Sequence, residues 1–477
     1  MPERLPKIVL VAVTVLAPLI LAFLAYSRPE YFTQRYLGGL LGLEVLAVAL
    51  WMYRRVYFPL VIVVFLLAGM DLPGRAIWTA GRWGVLGVGA MAGLILAFKG
   101  RRYHFGLFDL MALLSVLAAL ASAAVSRYTS LSLLKVLSLF LLYLYAATGA
   151  RFAVMGRENR FFAGLLTGCE LFVGAIAASH FLGYQVMGNP NSLGAVMGVV
   201  GAPILLWGIL VSEKPIDHHR RLGLFVIAVY VTFASHARAG MLAALLTCGL
   251  LCLALRRYKL FMQGITIVFI LGAASAILQP EAFSKTVSAV TSAVVYKGKD
   301  PAHGILDSRH SPWQDAVDSI NSHFWFGSGF GTADNGKDTA DSGGRNRFAT
   351  QMTETTEHGS SYLAVATWVG MAGMLPFLML VIILLRKIFQ TVVWTFRTAN
   401  PYHPAIPLAL VMVAGLIHAG FEDWLFAPGY YLCVFLWSLA FVFVNVAPLP
   451  VPANVRPAVL WRTGPIPQGL TNAAPSR

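Results

Sequence analysis

The sequence predicts an all-α, polytopic integral membrane protein, and three observations carry that reading. Of 477 residues, 58% are hydrophobic and only 12% charged, whereas a soluble domain runs nearer a quarter charged. Apolar runs of membrane-crossing length recur along the whole chain, too many for one soluble core with an anchor. The basic residues between those runs fall alternately on two sides, as the positive-inside rule requires.

Taken in order, apolar segments near 7–26, 36–52, 56–71, 80–98, 105–125, 131–150 and 161–182 make an N-terminal membrane region, 1–180. The first is expected to be a retained span, because no small-residue cleavage site follows it. Four more, near 191–211, 222–236, 238–255 and 259–278, make a second region, 181–278. Residues 279–360 are polar and form one long loop, opened by Gln279-Pro280 because proline withholds a backbone donor. Within it, Ser311-Pro312-Trp313 predicts the start of an amphipathic helix with proline at its first position, and Gly327–Gly331 predicts a tight turn. The chain returns to the membrane at 361–385, 404–426 and 429–446, the region 361–446. The last part of the chain, 447–477, has seven prolines in 31 residues and predicts a disordered tail. Fourteen segments result; 56–71 and 222–236 are short, so the expected number of helices is about 12–14.

The formal net charge of +15 is a topology signal, not a nucleic-acid footprint. Arg54-Arg55, Lys99/Arg101/Arg102, Arg151/Arg157/Arg160, Lys214/Arg220/Arg221 and Arg256/Arg257/Lys259 fall in alternate loops, all on one side. That side holds 22 of the 36 Lys and Arg; seven of the remaining 14 lie in the long loop, which orientation rules discount. Both termini are therefore expected in the cytoplasm, and the 279–360 loop outside it. The four cysteines fall inside apolar segments, away from any ligand-like spacing, so core packing is their expected role.

Four short stretches on the non-cytoplasmic side carry groups capable of chemistry. Gly188-Asn189-Pro190-Asn191-Ser192 leads into a span; it is an ordinary helix cap or, with Asn189 and Asn191, a helix N-terminus offering N–H groups to an anion. In Ser235-His236-Ala237-Arg238 the arginine sits at the edge of the hydrocarbon, where a guanidinium either snorkels or grips a diphosphate. Arg309, in Asp307-Ser308-Arg309-His310, is a second phosphate clamp or a solvated charge. Glu357-His358-Gly359-Ser360-Ser361-Tyr362 re-enters the membrane; a histidine beside a glutamate there is a candidate general base or an interfacial cap. Glu422-Asp423, after His418, is a minor candidate. Asp334, Asp338 and Asp341 fit no calcium-loop spacing, so no metal site is expected.

In this order and on this topology, the four stretches resemble the O-antigen ligase and O-antigen polymerase superfamily. The resemblance rests on Asn189-Pro190-Asn191, on Ser235 with Arg238-Ala239, and on Arg309 ahead of Trp313-Gln314-Asp315-Ala316. It also rests on Phe326-Gly327 with Gly329 and Gly331, and on His358 with Tyr362-Leu363 and Gly370/Gly373. It covers about 180–446. Here His236-Ala237 intervenes between Ser235 and Arg238, and Gly359-Ser360 stands where asparagine is common. What the resemblance implies is a glycosyltransferase of the inner membrane that inverts its sugar, uses no metal or cofactor, and faces the periplasm. Its donor would be a glycan on undecaprenyl diphosphate, and its acceptor lipid A-core or another lipid-linked glycan. Arg238 and Arg309 would hold the diphosphate, His358 would accept the acceptor's proton with Glu357 tuning it, and Asn189, Asn191 and Tyr362 would contact substrate. The alternative is a transporter of an envelope solute or lipid, kept open by four charges inside spans, Glu44, Asp109, Lys135 and Glu170; no internal repeat supports it.

Overall fold

The computed structural model describes residues 53–70, 75–99, 105–184, 186–187, 189–278, 307–332 and 358–449. Among these the chain is helical throughout. A π-helical turn, Tyr53–Tyr57, runs into α1, Phe58–Gly69. Then come α2 Arg75–Lys99, α3 Leu107–Val125, α4 Thr129–Val154, α5 Glu158–Phe181 and α6 Pro190–Leu210. Next are α7 Pro215–Ala234, α8 Arg238–Ala254, α9 Tyr258–Leu278 and, in the long loop, α10 Asp307–Ser322. Three helices close the bundle: α11 Ser361–Thr398, α12 Ala405–Ala419 and α13 Tyr431–Val446. Six of them, α2 to α6 and α11, are long and apolar enough to cross a membrane by length and composition. This is a multi-pass helical membrane protein. The expected spans 7–26 and 36–52, residue Glu44, the loop parts 279–306 and 333–357, and the tail from 450 lie outside the described residues.

Each of the other twelve apolar segments is a helix, with boundaries moved at 222–236, at 361–385 (a helix that runs on to Thr398) and at 404–426, and the loop helix starts earlier than expected. The run expected at 404–426 ends as a helix at Ala419. Its remaining apolar residues, Trp424, Leu425 and Phe426, are buried by protein rather than by lipid. Helix α7 begins at Pro215 instead of 222, because proline at its start and Asp217 in its first turn both favour a helix N-terminus. Helix α10 begins at Asp307, which places Pro312 inside it rather than at its first position. As the sixth residue it falls past the first four unpaired N–H groups, so the missing donor costs one helical bond.

Helix α13 forms the centre of the bundle and is buried along nearly all its length. Its Trp437 and Phe441 rings meet Phe108, Tyr143 and Phe426 at centroid distances between 4.8 and 6.4 Å. Van der Waals packing of this kind takes over from the hydrophobic effect where lipid is the solvent. Each aromatic pair contributes about 0.5–1.5 kcal/mol beyond area burial.

At the basic end the buried carboxylates are neutralised. Arg151 meets Asp109 at 2.7 Å and also donates to the Phe441 carbonyl. Glu170 takes Arg220 at 2.8 Å and Arg221 at 2.7 Å. Two of the interior charges that kept a transporter in view are thus closed structural pairs.

A cavity at the face opposite the basic end

Helix α11 is broken once. Gly370 has φ +66° and ψ 179°, so the helix stops at Val369 and restarts at Met371. The turn after α10 docks on this break. Ser328 N donates to Thr367 O (3.0 Å) and Gly329 N to Trp368 O (3.1 Å), while Met371 N donates to Phe324 O (2.8 Å). Gly327 and Gly370 face each other so closely that a Cβ on either would stand within 2.6 Å of the other's nitrogen, and both are left-handed, as glycine permits. The far side of the turn is held by α3 and α4. Ser126 Oγ lies 3.1 Å from Thr332 Oγ1, Ser132 Oγ donates to Phe330 O (3.0 Å), and Lys135 Nζ donates to Gly331 O.

This clamp forms one wall of a cavity of about 500 Å³. His358, Asp423, Asn189, Asn191, Arg82 and Lys135 supply much of its polar lining. Asn189 caps α6, its side chain accepting from Asn191 N at 2.8 Å. His358 is buried, at 6% exposure, with its ring edge-on to Trp368 at 5.6 Å. Its backbone N donates to Asp423 Oδ2 (3.2 Å), and its Nδ1 stands 3.6 Å from the same oxygen, an ion-pair rather than a hydrogen-bond distance. Burial raises the Asp423 carboxyl, but the hydrogen bonds and charge of His358 outweigh it and hold the group below the usual carboxylate range. Ser361 pins the same loop, donating to Glu422 O (2.6 Å) and accepting from Leu425 N (3.0 Å). Trp313 Nε1 donates to Gly359 O (3.2 Å), which brings α10 beside His358.

Of the residues singled out from sequence, His358, Asn189 and Asn191 come together here, and so does the minor candidate pair Glu422-Asp423. Arg238 does not line the cavity. It opens α8, after a reversal in which His236 takes a left-handed φ of 54°. Close approach of α8 to α6 at Gly194 and Gly240 nevertheless sets that helix start beside the Asn189 turn. Arg309 lies in the first turn of α10. Tyr362 donates its hydroxyl to Leu416 O at 2.9 Å and stands outside the cavity lining. Glu357 lies outside the described residues; the carboxylate placed at His358 is Asp423. Sequence reading passed over Arg82, although a charge within an apolar run is the available signal. It noted Lys135 only as an interior charge.

Residues 223–378 match the family model described as O-antigen ligase. The match takes in about a third of the chain, most of it in the second half. The matched stretch runs from within α7 to within α11, and so includes Arg238, Arg309, His358 and the Gly327–Gly370 clamp. Asn189, Arg82, Lys135 and Asp423 lie outside it. The match supports a role in transferring lipid-linked glycans. A comparison with curated proteins finds no match.

Proposed function

We propose that this protein transfers a glycan from undecaprenyl diphosphate to a hydroxyl of a second glycan, at the periplasmic face of a bacterial inner membrane. The observation that carries this reading is buried His358 facing half-buried Asp423 in a cavity large enough for sugar. Asp423 faces Nδ1 and favours its protonated form, which leaves Nε2 to take the proton of the attacking hydroxyl. The acceptor oxygen bonds to the anomeric carbon from the side opposite the diphosphate, so configuration inverts. The bond from that carbon to the diphosphate oxygen breaks, and its electron pair stays on the diphosphate. Arg238 and Arg309 hold that group and stabilise the charge as it develops. Asn189 and Asn191 contact the sugar, and Tyr362 supports the wall by fixing α11 to α12.

The test is transfer in vitro from a lipid-linked oligosaccharide, comparing wild type with Arg238→Ala, Arg309→Ala and His358→Ala, each with and without a chelator. Loss of transfer in the variants, unaffected by chelator, supports the reading. Full activity in His358→Ala overturns the assignment of the base, and loss on chelation overturns metal independence. Deleting the protein separates the two acceptors: free core with polymer still made marks a ligase, single repeats mark a polymerase.

A further inference from the structure

A second cavity, of about 320 Å³, runs as a groove along the bundle from its basic end. Buried residues of α6 and α13, among them Val196, Ile204 and Leu432, form its floor. Exposed Pro59 and Val63 of α1 and Gly164 and Gly168 of α5 line its sides, so it opens outward from the bundle. Along α5 the lining runs from Arg160 to Phe172, about 18 Å at the helical rise. That is close to the depth of one leaflet, half of a hydrocarbon layer of roughly 30 Å. Glycine makes the room: Gly164 and Gly168 stand one helical turn apart, and a Cβ on either would meet nothing within 4 Å.

Charge marks one end only. Arg55, in the π-helical turn before α1, and Arg160, in the first turn of α5, are exposed and line the groove; Arg157 lines it too. None of the described residues that line it is acidic. Glu158, in the same turn of α5, stays out of the lining and accepts from Gly156 N at 2.9 Å. The His358 cavity differs, because Glu422 and Asp423 share its walls with the cations.

We propose that this groove binds an anionic phospholipid of the leaflet at the basic end, with its phosphate at Arg55 and Arg160 and one acyl chain along Gly164 and Gly168. Basic pockets between membrane helices select anionic head groups, and a planar guanidinium meets phosphate oxygens in pairs. Small residues let the hydrocarbon lie close against helix backbone. Charge at one end and apolar length beyond it fix the orientation of the lipid. A polyprenyl diphosphate with its head at the His358 face would lie the other way up. The site stands independently of glycan transfer.

The experiment titrates full-length protein in detergent with phosphatidylglycerol or with phosphatidylethanolamine of the same chains, and counts bound lipid by native mass spectrometry. One arginine near the membrane surface contributes about fivefold. Wild type is therefore expected to prefer phosphatidylglycerol by about 25-fold, and Arg55→Ala or Arg160→Ala by about fivefold. Gly168→Leu fills the groove and is expected to weaken both lipids by about tenfold or more, whereas Gly168→Ala binds close to wild type. Equal wild-type affinity for the two head groups overturns the proposal. So does an unchanged preference in the arginine variants, or wild-type binding in a folded Gly168→Leu protein. The arginine variants decide alone where Gly168→Leu fails to fold. In membranes, a photo-reactive phenylalanine analogue at Val63, which is 48% exposed and lines the groove, identifies the occupant. A phospholipid adduct is expected; cross-linking mainly to residues 1–52, to a second copy of the chain or to a polyprenyl lipid overturns the proposal.

Discussion

At the basic end of the bundle, Asp109 and Glu170 are locked against arginines, and Arg151 is finished off by the Phe441 carbonyl and ring. At the other end, Lys135 and Arg82 bond to carbonyls, and His358 stands at ion-pair distance from Asp423 around an open volume. The same membrane cost applies to both ends. Where charge is closed on itself it holds helices in register; where it lines a cavity it stands within reach of whatever enters. The contrast proposes, without reference to any relative, which charges to test as structural and which as functional.

The sharpest break of that contrast is at His358. His358→Ala is expected to lower transfer by about 10²–10⁴-fold, the usual worth of a general base, with a melting temperature near wild type; an unfolded variant would place His358 among the structural charges. Next, Asp109→Ala takes its carboxylate away from buried Arg151 and is expected to cost about 3–5 kcal/mol of stability. Thermal unfolding reads this, and turnover per folded molecule should not change.

Asp423→Asn keeps the loop's shape but removes the charge at Nδ1, and is expected to lower kcat by about 10–100-fold. Its carboxyl is depressed in the fold, so its stabilisation is complete above the ordinary carboxylate range. That stabilisation is lost as pH falls through the lower folded value. Wild-type melting should therefore decline below about pH 4, and the Asn variant should show less of that decline. At Gly370→Ala a left-handed φ alone predicts about 1–3 kcal/mol of strain, and the added Cβ also meets the Trp325 carbonyl and the Gly327 nitrogen. Melting and transfer should fall together, because the clamp is both wall and support.

Helix positions were legible because hydrocarbon thickness sets a length that apolar runs must meet. They failed where another cause produced the same signal: Trp424, Leu425 and Phe426 read as membrane-buried but are covered by α11 and α13 in an outer turn. At the site, Asn189 was legible through local capping chemistry, and His358 through its position at a helix start. Asp423 was legible only as one of an acidic pair in a short loop; its link to His358 spans 65 residues and no local pattern encodes it. Lys135 shows the same limit. Its charge stands out in the sequence, but its bond to Gly331, 196 residues away, exists only in three dimensions.

The break at Gly370 has a consequence for how this molecule opens. The Thr367 and Trp368 carbonyls released there are answered by the Ser328 and Gly329 amides, with Ser122 also donating to Trp368 O at 2.5 Å. Lifting that turn away would strand polar groups where water is scarce, at several kcal/mol apiece. The seam thus behaves as a fixed jamb rather than a door, and a bulky lipid-borne sugar must gain admission past some other edge of the chamber.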